Sequence, residues 1–256
     1  MSIRNISFAA LAAALLAAAP AQAEDEPASP FTITGTAGVF SQYRLRGVSQ
    51  SDEDVALQGS ITVAHSSGFY VGTWGSNLTG FGAVGGSSLE LDLIAGYGTK
   101  IGDTGLDGGL IWYLYPDTKV NGTDYAEIYG SISHPLGPIN AKLGFYYAPK
   151  QEAIGDEDNI WVYTDLAAPI PSTPITLKGH VGYTTGKGSL LAGPDGDYFD
   201  FMVGADLTWK NLTFNVSYID TDIGKAAADA FYTVPGFEPG HKIAGDTVLF
   251  SLTAAF

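Results

Sequence analysis

Leu89-Glu90-Leu91-Asp92-Leu93-Ile94-Ala95-Gly96-Tyr97 puts Leu, Leu, Leu, Ala and Tyr on one parity and Glu, Asp, Ile and Gly on the other. A two-residue period belongs to a β-strand, whose successive side chains leave opposite faces. Both charges share one face, so the other is fit to meet an apolar medium. The rhythm continues downstream. Leu106, Leu110, Trp112 and Leu114 oppose Asp107 and Tyr113, and Ile128 and Ile132 oppose Glu127 and Tyr129. Leu143, Phe145 and Tyr147 oppose Lys142 and Tyr146, and Ile160, Val162 and Leu166 oppose Trp161, Tyr163 and Asp165. Leu177 and Val181 then oppose Lys178 and His180, Phe201, Val203 and Leu207 oppose Asp200 and Asp206, and Phe214 and Val216 oppose Asn215 and Ser217. The chain ends with Val248, Phe250, Leu252, Ala254 and Phe256 over Ser251 and Thr253. Upstream, Phe31, Ile33 and Val39 oppose three threonines, and Leu57, Ile61 and Val63 oppose Gln58, Ser60 and Thr62. Only the stretch 69–78 is ambiguous, because its aromatics fall on both parities. In all, about twelve segments of strand length lie between Phe31 and Phe256.

No charged residue falls on the apolar parity within these segments. A cationic side chain facing lipid costs about 2–4 kcal/mol at the bilayer midplane, which accounts for the exclusion. A soluble sandwich of two sheets also alternates, but its wet faces carry more charge than the Gly, Ser, Thr and Tyr found here. The connections discriminate further. Short links at 65–68, 101–104, 134–138, 169–174 and 210–211 alternate with long ones at 44–54, 79–87, 116–124, 149–159, 185–197 and 221–246. Short periplasmic turns facing long external loops are the pattern of an outer-membrane barrel. Aromatics near the long-loop ends (Tyr43, Trp112, Tyr113, Tyr115, Tyr125, Tyr147, Trp161, Tyr163, Tyr183, Tyr198 and Tyr218) and near the short-turn ends (Phe31, Phe69, Trp209 and Phe256) suggest two interfacial girdles. The expected fold is an all-β, up-and-down antiparallel transmembrane barrel.

The first residues are read apart from the fold. Arg4 precedes an Ala/Leu-rich run that ends in Ala21-Gln22-Ala23, the layout of a secretory signal peptide. We therefore divide the chain into a signal peptide at 1–23, a flexible leader at 24–30 and a barrel at 31–256. No cysteine is present, which excludes thiol catalysis and Cys-ligated metal. A net charge of −15 leaves no electrostatic footprint for nucleic acid. With 15% charged residues but 33 glycines and 14 tyrosines, the composition is poor for a surface wetted by water alone.

Ser41-Gln42-Tyr43-Arg44-Leu45-Arg46-Gly47-Val48-Ser49-Gln50, followed by Ala56-Leu57-Gln58-Gly59 and by 67–77, resembles the opening of the TorF family of porins. The match covers about the first third of the mature chain and implies an outer-membrane channel. It carries over no functional residues.

Arg44 and Arg46 share the inward parity at the long-loop end of the first segment. They form either a cationic cluster that selects solutes or a structural rung in which the guanidiniums pair with inward carboxylates such as Glu90 or Asp92. The expected pore lining is Arg44, Arg46, Glu90, Asp92, Asp107, Glu127, Lys142, Asp165, Lys178, Asp200 and Asp206. Carboxylates outnumber cations there, predicting mild cation preference. The long connection 221–246 is expected to fold inward and narrow the bore. Asp156-Glu157-Asp158 and Asp195-Gly196-Asp197 lack the full calcium-loop pattern and read as solvated charge. His65, His134, His180 and His241 fall in no catalytic motif, so neither enzyme activity nor a cofactor is expected. The residues point to a porin-like channel passing small hydrophilic solutes or ions. The alternative is a non-conducting structural or loop-mediated binding or adhesion barrel. Expected partners are outer-membrane lipid and lipopolysaccharide, the barrel-assembly machinery through Phe256, and small solutes.

Overall fold

In the computed structural model, which describes residues 29–256, the deciding stretch opens a strand of thirteen residues, Leu89–Ile101. The signal segment and most of the leader lie outside the described residues. In chain order the strands are β1 (Phe31–Phe40), β2 (Arg44–Leu45), β3 (Val48–Ser49), β4 (Ala56–His65), β5 (Phe69–Asn77), β6 (Leu89–Ile101), β7 (Thr104–Leu114), β8 (Tyr125–Leu136), β9 (Ile139–Gln151), β10 (Glu157–Pro169), β11 (Ile175–Thr185), β12 (Asp197–Trp209), β13 (Leu212–Thr221) and β14 (Thr247–Ala255). Two short helices, α1 (Lys225–Tyr232) and α2 (Gly240–Ala244), lie between β13 and β14.

All but β2 and β3 join one closed antiparallel barrel of twelve strands. The ring closes where β1 pairs with β14 on one side and β4 on the other. Phe256 extends that seam, donating its N–H to Gly35 O at 3.0 Å and accepting from Gly35 N at 2.7 Å. Closure leaves no strand edge unpaired, the condition for a sheet to survive in hydrocarbon. Among the described residues no helix is long and apolar enough to cross a membrane.

Parity decides which face each side chain takes. On β6, Asp92 has no exposure while Leu93 is 44% exposed. Val203, at the middle of β12, projects from the outer wall at 62% exposure. Val203→Arg is expected to cost about 2–4 kcal/mol, seen as an earlier urea midpoint when the barrel is unfolded from lipid vesicles. An unshifted midpoint would mean that water covers this wall.

The ambiguous 69–78 stretch contains β5, and its mixed aromatics have a simple cause. Phe69 faces outward, whereas Tyr70 and Trp74 are buried inside. The interior is more aromatic than expected. Tyr129 stacks on Tyr146 at 5.5 Å and Trp161 on Tyr163 at 4.5 Å, and the Tyr70 and Tyr129 hydroxyls bond to each other. Gly144 on β9 makes room for this row, since a Cβ there would collide with the Tyr163 ring.

This corrects the expected upper girdle. Tyr43, Tyr113, Tyr115, Tyr125, Tyr163 and Tyr198 are buried within the barrel and Trp161 is half-buried there, while Trp112 and Tyr218 are exposed on the outer wall. Proximity to the long-loop end was the wrong criterion, because parity, not height, selects lipid or lumen. At the other rim Phe31, Phe69, Trp209 and Phe256 are all exposed, as expected.

Candidate functional site

Residues 41–55 join β1 to β4, two strands already paired up to Phe40↔Ala56. Within this connection β2 and β3 form a miniature hairpin, with Arg44 opposite Ser49 and Leu45 opposite Val48. Its two turn residues, Arg46 (φ 50°) and Gly47 (φ 80°), both have positive φ, as a two-residue primed turn requires. Glycine takes that conformation freely, whereas arginine does so against a steric penalty. The strain places Arg46 at the tip, inside the barrel.

There Arg46 Nη2 donates to both oxygens of Glu127 on β8, at 2.7 and 2.6 Å, and Nη1 donates to Asn159 Oδ1 on β10 at 3.1 Å. The guanidinium lies 5.1 Å from the Trp161 ring and 5.8 Å from that of Tyr146, within cation–π range. Tyr113 donates to Glu127 at 2.9 Å, and Tyr198 donates to the Arg46 carbonyl at 3.1 Å. Burial opposes the Arg46 charge, but Glu127 outweighs it and raises the pKa above its ordinary value. The hairpin also reaches β6, where Tyr43 donates to Glu90 Oε1 at 3.2 Å.

Arg44 is spent differently. It donates to the carbonyls of Gly47, Gly245 and Lys242 at 2.7–2.8 Å, with Glu53 at 3.6 Å. Burial pulls its pKa down to about 10, against the nearby carboxylates of Glu53, Asp220 and Asp246. Two of those carbonyls come from α2 and the residue after it, so Arg44 ties the hairpin to the last long connection. Val48, Tyr198, Ala228, Tyr232, Ile243 and Ala244 form a buried apolar cluster between them. Here too the structure corrects the reading. The first connection enters the barrel, and 221–246 packs against it through the Lys242 and Gly245 carbonyls and the cluster around Val48. Arg46 forms the expected rung with an inward carboxylate, that of Glu127, but both arginines belong to the hairpin rather than to the first strand.

Within the barrel a cavity of about 460 Å³ is lined by Arg44, Arg46, Asp165, Lys178, Asp200 and Asp206 together with Thr, Ser, Asn and aromatic side chains. His180 projects into it with both ring nitrogens occupied, by Asp165 at 2.6 Å and Asp200 at 2.8 Å. Asp206 meets Lys178 at 3.5 Å and Asn215 at 2.6 Å. Asp107 accepts from Tyr70, and Lys142 sits 5.6 Å from the Tyr163 ring. Glu90, Asp92 and Glu127 face inward around the hairpin and are buried. A depression of about 540 Å³ between Phe31, Phe69 and Tyr97 lies on the outer wall and is mainly apolar.

Residues 24–256 match the family described as "Bacterial protein of unknown function (Gcw_chp)". The chain belongs to the Gcw_chp family. Among curated proteins none matches it in sequence. Solved structures that resemble this Gcw_chp barrel include the NanC porin, 9% identical with a TM-score of 0.56 over 88% of this chain and 99% of the other. The KdgM porin is also 9% identical, with a TM-score of 0.54 over 87% and 99%. KdgM in complex with disordered oligogalacturonate gives 0.53 at 9% identity, over 88% and 98%. At such identity the likeness concerns the fold.

What the sequence did not show of the Gcw_chp site is Asn159, Trp161 and Tyr146 as the walls around Arg46, and the bridging of Asp165 and Asp200 by His180, whose inward parity was legible. A signal for the hairpin was present in Leu45-Arg46-Gly47-Val48. Gly47 supplies one of the two positive-φ positions that a two-residue hairpin turn needs, so the turn had a local signal whereas its inward direction had none.

Proposed function

We propose that this barrel is a porin-like channel of the bacterial outer membrane, passing small hydrophilic solutes or ions passively and closed at rest by the Arg46 hairpin. The observation that carries the reading is the cavity of about 460 Å³ inside a closed barrel with an apolar outer wall, where charged and hydroxyl side chains stand among aromatic ones. Its volume lies within the roughly 300–1,000 Å³ common for small-molecule sites. The porin likeness of the fold and the TorF-like opening block support the same reading. The exposed Phe256 on the closing seam suits a signal to the barrel-assembly machinery, and the apolar wall suits lipid and lipopolysaccharide. The proposal involves no catalytic step.

Reconstituted in planar bilayers, the protein is expected to give discrete current steps. The lumen carries more carboxylates than cationic groups, and rings of one sign set ion preference, so the reversal potential should favour potassium. Chloride preference would overturn the selectivity. The seal made by the hairpin and by α1 and α2 favours one other reading, a non-conducting barrel that acts through its loops. A folded barrel that stays silent with and without the hairpin would establish that reading instead.

A further inference from the structure

Three carboxylates, Glu90, Asp92 and Glu127, face into the long-loop half of the barrel from β6 and β8, each at most 1% exposed. Asp92 neighbours both of the others. Glu127 is matched by Arg46, and Glu90 accepts one hydrogen bond from Tyr43. Among the described residues Asp92 has no hydrogen-bond partner for either oxygen, and Arg46 Nε has none. A buried, unpartnered carboxyl group is costly, so this pocket contains more hydrogen-bonding capacity than Arg46 and Tyr43 satisfy. Around the same point the rings of Trp161 and Tyr146 face the guanidinium. Carboxylates plus aromatic faces recognise a planar or alkylated cation. Arg46, Tyr113, Tyr146 and Trp161 border the 460 Å³ cavity, so a solute there meets the rings and the guanidinium first and reaches Glu127 where Arg46 withdraws.

We infer that the outer half of the lumen is a binding site for organic cations of the guanidinium or alkylammonium class, which Arg46 occupies as an internal stand-in. The inference rests on the channel reading and names its solute class. A solute cation in the cavity competes with Arg46 for Glu127 and the two rings, and brings a second charge toward Asp92. Anions are repelled from this cage, and neutral solutes gain neither ion pair nor cation–π contact. Among the described residues no three carboxylate or imidazole groups converge closely enough to hold one metal ion, which separates an organic cation from a metal as the occupant. Displacing Arg46 also removes the deepest anchor of the hairpin, so binding and opening share one contact.

The test is calorimetric titration of the full mature barrel in detergent with L-argininamide as the cation and N-propylurea as the neutral control. A ligand that must displace an internal competitor binds more weakly by the fraction of time the site is free. Arg46→Ala is therefore expected to tighten L-argininamide binding by roughly tenfold or more. Adding Glu127→Gln in that background should abolish it, and N-propylurea should bind neither form. Equal affinity in the native and Arg46→Ala proteins, or equal binding of the neutral control, would overturn the inference. Should Arg46→Ala fail to fold, the native chain decides. L-argininamide must then accelerate protease cleavage within 47–53, and unchanged cleavage overturns the proposal. Because binding is read without current, conduction without cation binding sinks this inference alone, whereas binding in a silent barrel sinks the channel reading alone.

Discussion

Excising residues 41–55 and closing β1 onto β4 with a short Gly/Ser turn is expected to turn brief or rare openings into a steady conducting state, raising mean conductance by an order of magnitude or more. The ladder between the two strands runs unbroken to Phe40↔Ala56, so the barrel loses a connection and no strand pairing. What leaves is the inserted hairpin, including Tyr43, Arg44 and Arg46, and with Val48 the surface on which α1 and α2 pack. Eight-stranded barrels are filled by their own side chains and those of sixteen or more leave an aqueous channel, so in a barrel of twelve strands the fate of one inward loop decides whether water threads it. Glu90, Asp92 and Glu127 would then line the opened mouth with no arginine opposite them. Cation selectivity should rise together with conductance. Single-channel recording on the heat-modifiable, folded form checks both, and a folded excised barrel carrying no more current than the native one would show that the hairpin is not the barrier.

How much of this was legible before any coordinates follows from the range over which each feature is determined. Alternation in 89–97 is a property of adjacent residues and one apolar medium, so strand, face and inward charge could all be read directly. The number of barrel strands was readable for the same reason, apart from β5, where Tyr70 and Trp74 obscured the pattern by facing a lumen that is itself aromatic. The girdle misreading came from weighing height along the strand over parity. Tyr113, Tyr129 and Tyr163 share their face with Asp107, Glu127 and Asp165, and that observation already places them inside. Pairing of Arg46 with Glu127 was not legible, because the two are 81 residues apart and meet only once a positive-φ turn has aimed the hairpin inward. The docking of 221–246 depends on that same event, since its apolar side has Val48 to pack against only after the hairpin has entered.

Arg46→Ala alone is expected to release the hairpin while leaving the barrel standing. Removing one partner of a buried ion pair costs about 3–5 kcal/mol, because the survivor stays charged and desolvated. Here the survivor is Glu127, with no exposure in the native state. A barrel has an escape that a soluble core lacks, for withdrawing the hairpin lets water reach Glu127 from the lumen. The penalty therefore appears as a shift of the docked–undocked equilibrium, by roughly a hundredfold or more toward undocked. Global unfolding changes far less, because the interstrand ladder is untouched. Arg46→Lys should rescue only in part, since an ammonium keeps the charge but cannot bridge Glu127 and Asn159 while lying flat between Trp161 and Tyr146. Replacing both partners, Arg46→Met with Glu127→Leu, removes the stranded charge and is expected to restore docking close to the native level. Hydrogen exchange of residues 42–53, measured beside the urea midpoint of the barrel, separates the two effects. A variant series in which the midpoint falls by the full cost while hairpin protection persists would mean that this segment is part of the barrel's fixed core and cannot act as its gate.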